Sequence, residues 1–172
     1  RSAISKGLFG WIGEYTPDVV CFQELKATPE QLPLIEIELL GYRHFWFPAQ
    51  KKGYSGVGLL SKKEPDNVVF GMNNSKYDSE GRFLRADFGE LSIVSVYHPS
   101  GTTGDERQAF KMEWLDFFRS YVKELRKERP YLVISGDYNI CHEAIDIHSP
   151  ETHETVSGFL PERYSDAERG RF

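Results

Sequence analysis

The chain has 172 residues, enough for one domain with a sizeable core, and its 40% hydrophobic and 14% aromatic content favours a folded protein over a disordered one. A net charge of −5 argues against a broadly cationic surface that coats nucleic acid, but it is compatible with a local basic groove. The sequence contains neither a membrane-spanning apolar run nor a signal peptide, so no membrane partner is expected.

The two cysteines favour an intracellular protein. Cys21 and Cys141 lie far apart, lack CxxC spacing and stand among apolar neighbours, which predicts buried free thiols. Such thiols are typical of a reducing compartment. The predicted location is therefore intracellular: the cytoplasm or nucleoid if the source is bacterial, and the nucleus if it is eukaryotic.

Helices and strands alternate in the first part of the chain. Apolar residues three and four apart indicate the helices, and continuous apolar runs indicate the strands. Pro17 ends the first helix, while Thr28 and Gly41 mark the start and the end of the second. The predicted elements are a helix at 2–15, a strand at 18–23, a helix at 28–40 and a strand at 42–47.

The middle of the chain is predicted to form short strands without helices between them. Consecutive strands of this kind favour antiparallel pairing. Phe88-Gly89-Glu90-Leu91 has the composition of a tight hairpin turn. The four runs are GVGLLS at 56–61, NVVFG at 67–71, RFLRADF at 82–88 and LSIVSVY at 91–97.

The longest predicted helix covers roughly residues 105–128. Pro130 ends it, YLVISGDYN at 131–139 forms the next strand, and a polar loop leads to a last helical stretch near 161–172. The long helix carries an apolar stripe that we expect to face the core. The stripe consists of Phe110, Trp114, Phe117, Tyr121 and Leu125.

Polar residues collect where three predicted strands end. Gln23 and Glu24 follow the first strand, Tyr97-His98-Pro99-Ser100 follows LSIVSV, and Gly136-Asp137-Tyr138-Asn139 follows YLVIS. Ligands of α/β sheets bind at the carboxyl ends of strands, where Glu24 and Asp137 together would form a hard-oxygen site suited to Mg²⁺ or Mn²⁺. Acids at strand ends also cap turns, and for any one of these motifs alone that interpretation is favoured.

Other kinds of site find no support in the sequence. His98, His142, His148 and His153 show neither HExxH spacing nor partner cysteines, so a zinc site is not expected. GxSxG, P-loop and GxGxxG motifs are absent from the sequence. The segment GYSGVG at 53–58 is rich in glycine, but it lacks the Lys-Ser/Thr ending of a P-loop and precedes a strand.

Six blocks stand in a specific order along the chain. They are CFQELK at 21–26, GYSGVGLLS at 53–61, EGRFLRADF at 80–88, VYHPSG at 96–101, SGDYNICHEAID at 135–146 and SGFLPER at 157–163. A lone GDYN or QE would be weak evidence, but six ordered blocks at compatible spacing are specific. Together they resemble the exonuclease III family of abasic-site endonucleases, within the larger endonuclease/exonuclease/phosphatase superfamily.

The resemblance implies a single α/β domain over residues 1–172, built as a DNase I-like four-layer sandwich of two packed mixed sheets flanked by helices. It also implies a Mg²⁺-dependent phosphodiesterase, with Mn²⁺ as the second choice of metal. The implied substrate is double-stranded DNA, cut 5′ to an abasic site or shortened from its 3′ ends during base-excision repair. We expect the protein to be a monomer.

Four residues match the catalytic positions of the family. Glu24 resembles its metal-ligand glutamate, and Tyr97 resembles the tyrosine that touches the scissile phosphate or assists the leaving oxygen. Asp137 resembles the aspartate that orients or deprotonates the attacking water, and Asn139 resembles its hydrogen-bonding partner at the phosphate. Residues two apart in an extended chain point to the same side, so Asp137 and Asn139 are expected to reach one target.

Four further residues match family positions near the duplex backbone: Arg1, Lys26, Tyr54 and Arg82. Arginine and lysine suit DNA phosphates, and a tyrosine on a glycine-flanked loop can stack or form a hydrogen bond. Each of the four has an equally favoured alternative, which is that it is an ordinary solvated surface residue.

The chain departs from the family pattern at both ends. The family has a strand with an active-site asparagine before the position of Arg1. Beyond the position of Phe172 it has a strand with another aspartate and an SDH segment with a catalytic histidine. We therefore expect a domain that is incomplete at both ends and lacks N- and C-terminal strands. Within the chain, Ser100 stands where several relatives have asparagine or glutamine.

Two alternatives to a DNA-repair nuclease stay open at this point. The first keeps the fold but changes the substrate to RNA or to a phosphorylated lipid or inositol, although GYSGVGLLS and SGFLPER favour the DNA branch. The second is a non-catalytic, truncated DNA-binding module, because none of the five histidines stands in an SDH context.

Overall fold

The computed structural model describes residues 2–141, 143–149 and 151, and the helical stretch predicted near 161–172 lies outside them. The helices in this part of the chain are α1 (Ser2–Ser5), α2 (Leu8–Tyr15), α3 (Leu34–Leu39), α4 (Ser75–Asp78) and α5 (Asp105–Glu128). The strands are β1 (Val19–Phe22), β2 (Arg43–Phe47), β3 (Val57–Ser61), β4 (Asn67–Phe70), β5 (Phe83–Phe88), β6 (Leu91–Tyr97) and β7 (Tyr131–Asp137).

Two of the predicted helices are shorter than the sequence pattern indicates. The prediction of one helix at 2–15 is wrong, because Gly7 between α1 and α2 has a left-handed backbone with φ of 93°. In the second helix, Thr28 caps only a 3₁₀ turn, and α3 begins after Pro33. Proline removes a backbone donor and restricts the residue before it, which separates the turn from the helix.

Within the described residues, seven strands form two sheets. The first has the order β1-β3-β2 with both pairs antiparallel, and the second has the order β4-β5-β6-β7. In the second sheet β4-β5 and β5-β6 are antiparallel, while β6-β7 is parallel. Antiparallel pairing within the middle of the chain is confirmed for β4, β5 and β6, but β3 and β4 belong to different sheets. The parallel pair follows from the long connection through α5.

The inner faces of the two sheets share one apolar core. Val57 and Leu59 from β3 pack with Leu84 and Ala86 from β5, and all four are buried. A second core lies on the other face of the first sheet, where Ile12 of α2 and Ile37 of α3 pack against it. The sheet is therefore covered on both faces, with helices on one side and the second sheet on the other.

Helix α5 confirms the predicted bounds, but of the predicted stripe only Trp114 and Leu125 are buried. Phe110, Phe117 and Tyr121 are only partly buried. The buried face is shifted by about one residue and consists of Lys111, Trp114, Leu115, Phe118, Val122 and Leu125. Lys111 was not expected on this face, because a lysine is rarely fully buried. Within the described residues, no helix is long and apolar enough to cross a membrane.

Contacts within the chain define two compact units. The first comprises residues 1–97 and 125–137 and therefore holds both sheets. The second comprises residues 98–124, which include most of α5, and the described residues from 138 onward. The prediction of a single domain stays a prediction.

Gly136, immediately before Asp137, leaves no space for a side chain in the parallel pair. A Cβ at this position would lie 2.0 Å from the carbonyl oxygen of its partner Val96. We expect Gly136→Ala to destabilise the protein by about 3 kcal/mol or more, since neither backbone can yield without breaking the ladder. Urea unfolding measures the change. The control is Gly10→Ala in α2, where a Cβ meets nothing within 4 Å; equal stability of the two variants would contradict the prediction.

Candidate active site

Three predicted catalytic residues meet at the carboxyl ends of their strands. Tyr97 and Asp137 are the last residues of β6 and β7 and are direct partners in the parallel ladder, so their side chains lie on one face. Glu24 follows β1 by two residues, and the Tyr97 hydroxyl donates a hydrogen bond to its Oε1 at 3.2 Å. Neighbouring Gln23 instead joins the sheets, because its Nε2 donates to Ser95 Oγ on β6 at 3.1 Å.

The electrostatic environment keeps the Tyr97 phenol protonated. Burial and the negative charge of Glu24 raise the pKa of Tyr97 to about 12, and the charge of Asp137 acts in the same direction. The nearby Arg82 opposes these effects but does not cancel them. At neutral pH Tyr97 is therefore a neutral hydrogen-bond donor and not a base.

Arg82 lies beneath the site and not on the surface. Its side chain is 2% exposed, and its Nη1 donates to the Tyr97 carbonyl at 2.9 Å. Its Nη2 donates to Tyr54 Oη at 3.0 Å, and its Nε pairs with Glu80 at 2.6 Å. The guanidinium also lies 5.0 Å from the centre of the Tyr97 ring. A buried guanidinium with these partners positions Tyr54 and Tyr97, and the expected solvent-facing DNA contact does not fit its location.

The glycine-rich segment at 53–58 fixes the backbone around Glu24. Leu25 N donates to Gly56 O at 3.1 Å, and Lys26 N donates to Ser55 O at 2.9 Å. A Cβ on Gly56 would lie 3.2 Å from Leu25 Cβ, so the two segments approach closely because this position is a glycine. This segment is part of the GYSGVGLLS block, but its contact with the residues after β1 could not be predicted from the sequence. The sequence signal for a close approach here is the pair of glycines that flank Tyr54-Ser55 just before a strand.

Glu24 is ionised and partly solvated. Its Oε1 lies 2.8 Å from Lys26 Nζ, and about half of each side chain is exposed. The hydrogen bond from Lys26 lowers the pKa of the Glu24 carboxyl, with a smaller contribution from Tyr97. Because water screens an exposed pair of this kind, it adds little to stability. The pair with Lys26 matters for chemistry instead, because it keeps a charged and accessible Glu24 oxygen beside Tyr97.

The donor set fits a magnesium ion that completes its coordination from outside the protein. Across the described residues, no group of three or more His, Cys, Asp and Glu side chains could enclose a metal. Glu24 and Asp137 supply carboxylate oxygens, and both charges act on the Tyr97 hydroxyl. Mg²⁺ typically binds one or two carboxylates together with waters and substrate phosphate. Mn²⁺ accepts the same ligands.

Asn139 belongs to the second unit, where its side chain is held by backbone. It has a left-handed φ of 51°, and its Nδ2 donates to the His98 carbonyl at 2.9 Å.

Two of the predicted DNA contacts lie close to the site residues. Lys26 lies beside Glu24, and Tyr54 lies beside Arg82. Arg1 lies outside the described residues. Two buried residues of α5 contact the segments that carry His98 and Asn139: Trp114, which was predicted to face the core, and Lys111, which the sequence analysis did not single out.

Known proteins resemble this chain over most of its length. The DNA repair nuclease APEX1 of Danio rerio is 35% identical over 94% of this chain and 53% of its own length. An exodeoxyribonuclease of Bacillus subtilis is 33% identical over 94% of this chain and 61% of its own length. A DNA-(apurinic or apyrimidinic site) endonuclease of Dictyostelium discoideum is 34% identical over 94% of this chain and 45% of its own length.

Solved structures share the fold. An AP endonuclease from Archaeoglobus fulgidus matches with a TM-score of 0.82 and 29% identity, over 90% of this chain and 60% of that chain. A 3′-5′ exonuclease from Neisseria meningitidis matches with a TM-score of 0.78 and 24% identity, over 86% of this chain and 57% of that chain. These matches confirm the predicted fold class.

The chain spans about half the length of the curated relatives that it matches. A family model described as Endonuclease/Exonuclease/phosphatase family matches residues 5–170, which is nearly the whole chain. The relatives bear out the resemblance to abasic-site endonucleases and exodeoxyribonucleases that the six sequence blocks indicate. The chain belongs to the endonuclease/exonuclease/phosphatase family.

Proposed function

We propose that the protein is a Mg²⁺-dependent phosphodiesterase that cuts double-stranded DNA 5′ to abasic sites and removes nucleotides from 3′ ends. The observation that carries the proposal is the convergence of Glu24, Tyr97 and Asp137 at three strand ends. The names of the related abasic-site endonuclease and exodeoxyribonuclease support the choice of substrate. On this proposal the protein acts as a monomer where genomic DNA is held, in the nucleus or the nucleoid.

Each side chain has a role that follows from its surroundings. Glu24 would hold the metal with an ionised oxygen, and a bound ion would supply positive charge close to the phosphate. Tyr97, kept neutral, donates a hydrogen bond to a phosphate oxygen or to the departing oxygen. Asp137 orients the attacking water and accepts its proton. Asn139 donates to the phosphate without adding charge.

The DNA contacts are proposed for Lys26, Tyr54 and Arg1. Lys26 has an exposed ammonium group next to Glu24, where a phosphate approaching the metal would pass. Tyr54 presents a partly buried ring that a buried guanidinium holds in place. Arg82 acts through Tyr54 and Tyr97 instead of touching DNA.

The experiment that tests the choice of substrate compares kcat/KM on four substrates in Mg²⁺. They are a duplex with one abasic site, an intact duplex with a recessed 3′ end, a single-stranded RNA and an inositol polyphosphate. We expect the abasic duplex to be preferred by about 100-fold or more over RNA, with measurable release of 3′ nucleotides. Preferred turnover of RNA or of the inositol phosphate would reject the DNA assignment and retain the fold.

We expect Lys26→Gln to change metal and DNA binding in opposite directions. Loss of the neighbouring cation should tighten Mg²⁺ binding by about fivefold at most, because the pair is solvent-screened. Loss of a phosphate contact should weaken DNA binding and reduce the slope of log affinity against log salt by about 1. Calorimetry and fluorescence anisotropy measure the two effects. Lys123→Gln, exposed on α5, should change neither; equal effects of the two variants would remove Lys26 from the interface.

A further inference from the structure

Helix α5 carries a fully buried lysine. Lys111 is 2% exposed and lies on the same helix face as Trp114 and Phe118. Lysine is almost never buried to this degree without hydrogen-bonded partners, because removing an ammonium group from water is costly. The buried ammonium group of Lys111 therefore requires a hydrogen-bond acceptor.

One partner is the backbone of the proposed phosphate-binding asparagine. Lys111 Nζ donates to the Asn139 carbonyl oxygen at 2.8 Å, across 28 positions of sequence. Asn139 has a left-handed φ of 51°, an uncommon conformation that asparagine tolerates better than most residues and that its surroundings help to hold. A charged donor to this carbonyl is a stronger restraint than a neutral one.

The same helix face fixes the acceptor of the Asn139 side chain. Asn139 Nδ2 donates to the His98 carbonyl at 2.9 Å. The His98 ring, 1% exposed, accepts at Nδ1 from Trp114 Nε1 at 3.0 Å and has the Phe118 ring edge-on at 4.8 Å. Its other side stacks on Tyr138 at 4.8 Å. Main chain and side chain of Asn139 are thus both tied to α5, directly through Lys111 and indirectly through His98.

We propose that Lys111 is a positioning residue that holds Asn139 in the orientation it needs at the scissile phosphate. The inference rests on the proposed function for the role of Asn139. The hydrogen bonds that restrain Asn139 lie within the second unit and do not depend on that role. Lys111 does not touch the substrate. It lowers the barrier by keeping the amide of Asn139 pre-oriented, since small displacements of such groups cost large factors in rate.

A double-mutant cycle tests this role. Lys111→Met keeps the length and apolar body of the side chain but removes its donor. We expect kcat on the abasic duplex to fall about 10- to 100-fold while KM changes less than about twofold. In an Asn139→Ala background the same change should cost less than about twofold, because the group it positions is gone. The control Lys123→Met should alter neither value.

Nuclear magnetic resonance of the Asn139 side-chain amide gives a readout that does not depend on turnover. Lys111→Met should shift or broaden these resonances, and Lys123→Met should not. An unchanged amide, or an equal loss of kcat with and without Asn139, would overturn the inference. A protein that shows the amide shift but cleaves no substrate would instead reject the proposed function. If Lys111→Met does not fold, Lys111→Leu, which also lacks a donor, enters the same measurements with the same criteria.

Discussion

Asp137→Asn is expected to lower kcat on an abasic duplex by about 1,000-fold, with little change in KM. The asparagine is nearly isosteric and keeps the end of β7 paired with Tyr97, but it cannot accept the proton of the attacking water. The loss should therefore appear in the chemical step and not in DNA binding, as rapid-quench kinetics and anisotropy would show.

The matched control for this variant is Asp116→Asn, an exposed carboxylate on α5. It removes the same charge from the protein and should leave kcat unchanged. A loss shared by both variants would indicate a general effect of charge on DNA association. Full activity of Asp137→Asn would remove Asp137 from the mechanism.

Glu24→Gln is expected to weaken Mg²⁺ binding and to lower kcat by about 100-fold or more at millimolar Mg²⁺, with partial recovery at higher concentration. The amide keeps an oxygen for the Tyr97 hydrogen bond but loses the charge that attracts the ion. Calorimetric titration with Mg²⁺ and cleavage at several metal concentrations measure the two effects. Glu36→Gln, exposed on α3, is the control.

The pH dependence of metal binding gives Glu24 a second test. The hydrogen bond from Lys26 lowers the pKa of Glu24, so the carboxylate stays charged as the pH falls into the range where an ordinary glutamate is protonated. Mg²⁺ binding should therefore persist in the native protein as the pH falls to 4.5, the ordinary pKa of a glutamate. Binding that fades well above pH 5, or that is equally strong in Glu24→Gln, would contradict the assignment of Glu24 as the ligand.

Local patterns along the chain predicted most of the strands and the grouping of the site. The strand ends that carry Glu24, Tyr97 and Asp137 could be found because apolar runs stop there and polar residues begin. Tyr97 and Asp137 share one edge because β6 and β7 are parallel, whereas Glu24 follows β1 of the other sheet. The end of an apolar run is a local signal, so the position of each strand end could be predicted from the residues around it.

The features that the sequence did not predict depend on long-range packing. The burial of Lys111 and Arg82 is set by partners 28 and 15 positions away, which no periodicity encodes. Likewise, Gly7 and Pro33 divide predicted helices, because a single residue can outweigh the apolar pattern of its neighbours. Strand partnership is also non-local, so the separation of β3 from β4 could not be read from their adjacency.

The most direct measurement of the proposed function is cleavage of an end-labelled duplex with one abasic site, in Mg²⁺ and in EDTA. The proposed mechanism predicts a single product cut 5′ to the abasic site in Mg²⁺ and an intact strand in EDTA. Metal-independent binding of the duplex by a folded protein, without cleavage in Mg²⁺ or Mn²⁺, would contradict it. That result would favour a DNA-binding module that keeps the fold of the family without its chemistry.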